Sequence, residues 1–301
     1  MNREDVLLLG GGGFIGSALA RRLKQEGTPA HIIGRHDGER LEQTLPQCGT
    51  VIHLASSTTP GSSARHPILE LDNLALTLRL LGLLQSQPDT HLIFFSSGGT
   101  VYGNPERLPV TEDSAVAPLS QHGAGKAAQE AFCQTFRTRG HAVTILRPSN
   151  AYGPGQTMRN GFGLIRTMLE HARCDTPLEI WGDGENIRDF IYIDDVVEAT
   201  ARLIKEPQDS GTYNLGSGTG YSINQVKDIV ETVCKKKLNT AYRPARGMDV
   251  RSVVLDNTRL SERLAWQAGV VLDDGIASTW ENLKPSSTCV NSAYFPIRKE
   301  Q

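Results

Sequence analysis

In the stretch "PLSQHGAGKAAQE" (residues 118–130), His122 stands four positions before Lys126. That spacing puts both side chains on one helix face, about one turn apart. An imidazole and an ammonium so placed can move a proton. Histidine titrates near about 6.5 unaided, and a neighbouring ammonium keeps the ring neutral and ready to accept. A second chemical signal lies at the start of the chain, where Gly10, Gly13 and Gly16 form GxxGxxG between the apolar run "DVLLLG" and an amphipathic stretch ending at Gly27. Glycines at such a junction permit a tight turn and let the backbone approach a pyrophosphate resting on the helix N-terminus. Proton transfer beside a bound dinucleotide is the chemistry these two groups suggest together.

Dinucleotide folds place an acid on the adenosine ribose roughly 20 residues past the glycines. Here position 34 (34 − 16 = 18) is glycine, followed by Arg35, in "IIGRHDGER". A guanidinium beside a small residue can pair with a 2′-phosphate that an acid would repel, so the sequence favours NADP over NAD. The opposing reading leaves Arg35 on a solvated loop and gives the ribose to Asp37.

Positioning these groups takes alternating strands and helices. The β-rich runs "DVLLLG", "AHIIG", "TVIHLA", "HLIFFSS" and "AVTILRP" alternate with helical stretches after the glycines and at 72–86 and 122–139. That order predicts an α/β fold, a Rossmann-type doubly wound parallel sheet with helices on both faces. After Pro148 the rhythm breaks, with helical patterns near 161–173, 194–205 and 222–236. We therefore expect a dinucleotide-binding domain over 1–150, joined by returning segments near 187–216, a smaller α/β substrate lobe over 151–285, and a tail over 286–301.

With 301 residues, 39% hydrophobic and 21% charged, the chain can bury a substantial core, and a net charge of −2 supplies no field to draw it to nucleic acid or an anionic membrane. The opening "VLLL" is too short for a signal segment or a span, which argues for a cytoplasmic protein. The five cysteines (Cys48, Cys133, Cys174, Cys234, Cys289) are odd in number and show no metal-ligand spacing, so no metal is expected and reduced thiols are.

The ordered series GxxGxxG, "VIHLA", "SSGGTVYG", a helix-borne lysine, "LRPSNAYGPG", "GDGENIRDFIYIDDV", "YNLGSG" and "RPARGMDVRSVVLDN" resembles the extended short-chain dehydrogenase/reductases of the NAD-dependent epimerase/dehydratase family. The likeness runs over roughly residues 5 to 285 and is greatest to UDP-hexose and UDP-N-acetylhexosamine 4-epimerases. It implies a nicotinamide cofactor held by Gly10, Gly13, Phe14, Ile15, Gly16, Arg35, Leu54, Ala55 and Lys126, and a nucleotide-sugar substrate oxidised and re-reduced at C4. The family's helix reads YxxxK, with tyrosine as acid/base. This chain keeps the lysine as Lys126 and puts His122 at the tyrosine position. A serine that hydrogen-bonds the C4 oxygen falls on Gly98; Thr100 matches another substrate-contacting position and is our first choice for that hydroxyl, with Ser97 second.

By the same resemblance, Asn150 and Arg188 approach the diphosphate, while Arg246 and Asp249 hold phosphate and uridine ribose. Related 4,6-dehydratases carry an acid pair where this chain has Gly99 and Thr100, which argues against β-elimination. Only 16 residues (35 to 50) separate the second strand from "VIHLA". The family fits a further strand and helix there, so we expect that strand to be missing and the adenine side to be open. Three readings remain: 4-epimerase, NADPH-dependent 4-ketosugar reductase, or a catalytically weak or silent nucleotide-binding member. The family commonly forms homodimers through paired helices; "LALTLRLLGLL" suits such a bundle and equally suits the core.

Overall fold

A computed structural model of the chain describes residues 4–158, 162–206, 210–247 and 249–283. The apolar run after Glu4 forms β1 (Asp5–Leu9), the glycine turn opens α1 (Phe14–Gln25), and β2 (Ala30–Ile33) follows. Between β2 and β3 (Cys48–His53) lies only a short helix, α2 (Gly38–Thr44). The chain continues through α3 (Pro60–Arg65), α4 (Glu70–Leu84), β4 (His91–Phe95), the one-turn α5 (Gly98–Val101), α6 (Gln121–Thr138) and β5 (Val143–Pro148). Beyond Pro148 come β6 (Asn150–Tyr152), α7 (Leu164–Cys174), β7 (Leu178–Trp181), β8 (Ile187–Tyr192), α8 (Ile193–Ile204) and β9 (Gly211–Leu215). The described chain closes with β10 (Gly220–Ser222), α9 (Ile223–Cys234), β11 (Thr240–Arg243), β12 (Ser252–Val253), α10 (Thr258–Leu264) and α11 (Leu272–Glu281).

The main sheet has six parallel strands in the order β2-β1-β3-β4-β5-β9. β1 sits inside it with β2 on one side and β3 on the other, so the strand order reverses at the carboxyl end of β1. In open α/β sheets such a reversal opens a crevice for ligands. β2 is an edge strand, as the short 35–50 connection implied. The sheet is doubly wound because successive residues of β1 face opposite ways. Val6 and Leu8 join one buried cluster with Leu19 and Leu23 of α1 and Val196 of α8, while Leu7 and Leu9 join another with Leu80 and Leu84 of α4 and Cys133 and Phe136 of α6.

The segment 187–216 divides between two sheets. α8 and β9 pack on or join the main sheet, whereas β8 pairs with β6, β10 and β12 in a second, smaller sheet. β7 and β11 make a parallel pair beyond it. The helix expected near 161–173 runs over Leu164–Cys174; residues 1–3, 159–161, 207–209, 248 and 284–301, and with them Cys289 and the 286–301 tail, lie outside the described residues. Among the described residues no helix is long and apolar enough to cross a membrane.

Candidate active site

The glycine turn meets the demands of a dinucleotide cradle. Gly10 adopts φ +87°, and a Cβ there would lie 2.6 Å from the backbone N and Cα of Ala55, so only glycine lets the ends of β1 and β3 come this close. A Cβ on Gly16 would meet Gly11 Cα at 2.6 Å, which ties the first turn of α1 to the loop. Gly12 faces open space. α1 begins at Gly13 with no side-chain cap and no acid in its first turn, leaving its N-terminal N–H groups and dipole for an anion. Phe14 and Ile15 pack their side chains against the core below, so they present backbone there. The residues therefore fit a nicotinamide dinucleotide.

Arg35 follows the edge strand β2, and its Nη1 donates to the carbonyl of Ser56 at 3.3 Å, in the loop after β3. The exposed guanidinium thus reaches across the end of β1. Asp37 is engaged locally, accepting from Gly34 N at 3.0 Å. Leu54 and Ala55 lie beside Gly10 at the end of β3.

α6 carries both His122 and Lys126. Ser120 caps it, its hydroxyl accepting from Gly123 N at 3.1 Å. His122 and Lys126 are both buried on its inner face. Lys126 Nζ donates to the carbonyl of Phe95 at 2.8 Å, at the carboxyl end of β4, and lies 4.9 Å from the Phe94 ring centroid. Burial pulls the Lys126 amine down to about 8, against the opposing pull of Glu70 and Glu130.

His122 Nδ1 lies 3.1 Å from Thr58 Oγ1 and 3.5 Å from Glu70 Oε1. Glu70 heads α4, and Gly125 makes room for it: a Cβ on Gly125 would overlap the Glu70 carboxylate. Burial raises the Glu70 pKa, but hydrogen bonds from His122, Thr58, Asn73 and Ser63 outweigh it and hold the carboxyl at about 2. Glu70 is ionised at neutral pH.

α5 abuts α6 where Gly123 meets the carbonyl of Thr100; a Cβ on Gly123 would sit 2.6 Å from that oxygen. Thr100 Oγ1 is buried and makes no hydrogen bond among the described residues. Ser97 is the N-cap of α5, and its hydroxyl makes no capping bond. At position 98 a side chain is excluded, since a Cβ would lie 2.6 Å from Leu255 Cδ1 and 2.8 Å from Arg147 O. Gly99 faces the Asn150 amide, 3.7 Å from where its Cβ would be.

The pleat of β8 sends Arg188 and Asp189 to opposite faces, so they do not form the adjacent ion pair that their sequence allows. Asp189 is fully buried and accepts from Ser217 N, Ser217 Oγ, Gly218 N and Leu255 N; burial pushes its pKa up. Among the described residues Arg188 donates to the carbonyls of Ile187 and Arg251, and burial pulls its pKa below the usual arginine range, with Asp249 opposing. Asn150 Nδ2 donates to Asp189 O at 2.9 Å, which brings β6 beside Arg188. Arg246 stacks 3.7 Å over the Trp181 ring, and Asp249 N donates to Arg246 O at 3.2 Å.

Residues 6–216 match the family described as the NAD dependent epimerase/dehydratase family. The chain belongs to the NAD-dependent epimerase/dehydratase family. It is 29% identical to a UDP-glucose 4-epimerase of Mycolicibacterium smegmatis, over 94% of this chain and 99% of that protein. It is 28% identical to a dTDP-4-dehydro-6-deoxyglucose reductase of Escherichia coli, over 91% of this chain and 96% of the other. Its backbone superposes on a crystal structure of Thermus thermophilus UDP-glucose 4-epimerase in complex with NAD with a TM-score of 0.86, at 27% identity, covering 92% of this chain and 98% of that one.

Within this epimerase/dehydratase member, the sequence did not expose Thr58, Glu70 or Asn73 as neighbours of His122. Glu70 reads as a favourable acid in the first turn of α4. Its one local trace is Gly125, a glycine inside a helix between the two candidate catalytic residues, where a close approach needs explaining.

Proposed function

We propose that this protein is a nucleotide-sugar 4-epimerase acting on a UDP-hexose or UDP-N-acetylhexosamine. The observation that carries the reading is the buried His122–Lys126 pair on α6 at the carboxyl end of the sheet, with α5 and its unpartnered Thr100 hydroxyl packed against the same helix. A bound nicotinamide supplies the means to take a hydride from C4 and to return it. His122 removes the 4-hydroxyl proton as C4 is oxidised and gives it back when the 4-keto sugar, turned over in the site, is reduced on its other face. Thr100, or Ser97 in its stead, steadies the developing oxyanion, and Lys126 anchors the nicotinamide ribose. Asn150 and Arg188 take the diphosphate, and Arg246 and Asp249 take phosphate and uridine ribose, where Arg forks suit phosphate and carboxylate suits hydroxyls.

A second reading, an NADPH-dependent 4-ketosugar reductase, is favoured by one observation. β2 is the sheet edge and Arg35 is exposed across the end of β1, an arrangement suited to a 2′-phosphate and to a cofactor that exchanges between turnovers. We therefore propose NADP as the preferred cofactor. We also propose a homodimer: Leu71 and Leu78 of α4 and Phe132 of α6 are exposed on neighbouring helices of one face. A cytoplasmic site fits a nucleotide-sugar substrate.

The test is a proton NMR time course with UDP-glucose, UDP-N-acetylglucosamine and their C4 epimers, with NAD and NADP supplied separately. Interconversion without net cofactor change is the expected result. Silence with all four sugars, together with stoichiometric NADPH consumption by a 4-keto substrate, would replace the epimerase by the reductase. Silence in both would leave a binding protein whose ligand raises its melting temperature without turnover.

A further inference from the structure

The environment of His122 contains more than a base needs. The backbone N–H of Ser57 can only donate, and it lies 2.7 Å from the side-chain oxygen of Asn73, which fixes that amide's orientation. Asn73 Nδ2 therefore donates, to Thr58 Oγ1 at 3.0 Å and to Glu70 Oε2 at 2.9 Å. Thr58 Oγ1 has already accepted from Asn73, and its own proton is drawn to the adjacent carboxylate. What remains on that oxygen toward His122 is a lone pair. Glu70 Oε1 lies 3.5 Å from Nδ1 while Asn73 Nδ2 donates to Oε2, so the carboxylate oxygen that faces His122 offers it lone pairs. Both neighbours of Nδ1 are thus acceptors. A bare nitrogen lone pair facing two oxygen lone pairs is repulsive, whereas an N–H there makes a bond.

We propose that Glu70, held by Asn73 and backed by Thr58, is the positioning residue that keeps His122 as its Nδ1–H tautomer and so leaves Nε2 as the basic nitrogen. The inference rests on the reading of His122 as the base. A tyrosine needs no such partner, having one oxygen that serves as both donor and acceptor. An imidazole in its place has two nitrogens, and only one tautomer puts a lone pair where the sugar hydroxyl arrives. Gly125 belongs to the same arrangement, since any side chain there would displace the carboxylate. The charged and titratable groups facing His122 and its partners are Glu70 from α4, Lys126 from its own helix, and His53 from the end of β3. Burial, aided by the Lys126 charge, pulls His53 down to about 3, so it stays neutral.

The test is a nitrogen-15 NMR measurement of the His122 ring in the full-length protein, assigned with His122→Gln, alongside turnover of wild type, Glu70→Gln and Glu70→Asp. The wild type should show the Nδ1–H tautomer. Glu70→Gln can turn an NH₂ donor toward Nδ1 and should shift His122 toward the Nε2–H tautomer, with kcat lowered about 100-fold and KM changed less than threefold. Glu70→Asp keeps the charge and should keep the tautomer and most of kcat. A wild-type Nε2–H tautomer would overturn the proposal without any variant. So would equal kcat and tautomer in Glu70→Gln and wild type, both variants being checked for native near-UV circular dichroism. If the wild type turns over no sugar nucleotide, the proposed function fails while the tautomer measurement still decides the role of Glu70.

Discussion

The ion pair beneath α5 gives a prediction whose size follows from burial. Arg147 and Glu130 have side chains only 3% exposed each, joined by Nε at 3.0 and 3.2 Å and Nη2 at 2.6 Å. Burial lowers the Arg147 pKa, but the hydrogen bond and charge of Glu130 more than restore it. Nη1 donates to Tyr102 Oη at 2.8 Å, and Tyr102 in turn donates to Asn214 at 2.7 Å. The pair thus ties α6 and β5 to the residue that ends α5, the element carrying Thr100. Glu130→Gln removes the charge, leaves the guanidinium buried, and sets an amide NH₂ against one of its N–H groups. Breaking a buried pair in this way costs about 3–5 kcal/mol. For a chain of this size that corresponds to a fall in Tm of roughly 5–8 °C. Thermal unfolding followed by circular dichroism measures it. The paired replacement Glu130→Leu with Arg147→Met should recover most of the loss, since neither charge is then stranded. A Glu130→Gln protein melting within 2 °C of wild type would refute the reasoning, and so would a double variant no better than the single one.

Three further outcomes follow from the geometry. Gly10→Ala should destabilise the protein by more than about 2 kcal/mol, combining left-handed backbone strain with overlap against Ala55, and should weaken dinucleotide binding; a urea midpoint and a cofactor titration read the two effects. Arg35→Ala should lower the preference for NADP over NAD by roughly 10- to 100-fold, the value of one or two charge-assisted bonds, and equal preferences in variant and wild type would remove Arg35 from the cofactor site. Glu70 is held at about 2 against an ordinary 4.5, so its stabilisation is present above about pH 4.5 and is lost as the pH falls through that value towards 2. The shift sets a ceiling of about 3 kcal/mol, and with 12% of the side chain exposed, solvent screening trims it to about 2 kcal/mol. The stability difference between wild type and Glu70→Gln should therefore be largest above pH 5 and close to zero near pH 2, as read by denaturant titration across that range.

What could be read from the sequence was what depends on neighbours in the chain. β1, the glycine turn and α1 are consecutive, and the unbroken apolar run of β1 against the amphipathic pattern of α1 is written in the residues themselves. The His122–Lys126 pair was legible for the same reason, since a spacing of four fixes a shared helix face wherever the helix lies. The absent strand after β2 was legible by length alone, 16 residues being too few for helix, strand and their turns. β8 was not assigned so readily. "IRDFIYIDDV" passes from strand to helix much as a dinucleotide-fold unit does, and nothing local says that β8 joins β6, β10 and β12 while β9 completes the main sheet. That choice depends on which strand edge is open when the segment arrives.

The same distinction explains the hidden part of the site. Glu70 and His122 are 52 positions apart (122 − 70 = 52), and the packing of α4 on α6 brings them within 3.5 Å. Seen from the chain, His122 at the position where the resemblance expects tyrosine is one residue with a shorter reach and a different angle. Seen from the fold, it is coupled to three other choices. A carboxylate at position 70 supplies an acceptor for Nδ1, a glycine at 125 admits that carboxylate, and an asparagine at 73 orients it through a backbone-fixed amide. The proposed Nδ1–H tautomer of His122 draws on all three. A histidine surviving by default would not need this surrounding set, since burying an ionised glutamate costs free energy unless its hydrogen bonds repay it. On the proposed reading of His122 as the base, this set of residues is its support.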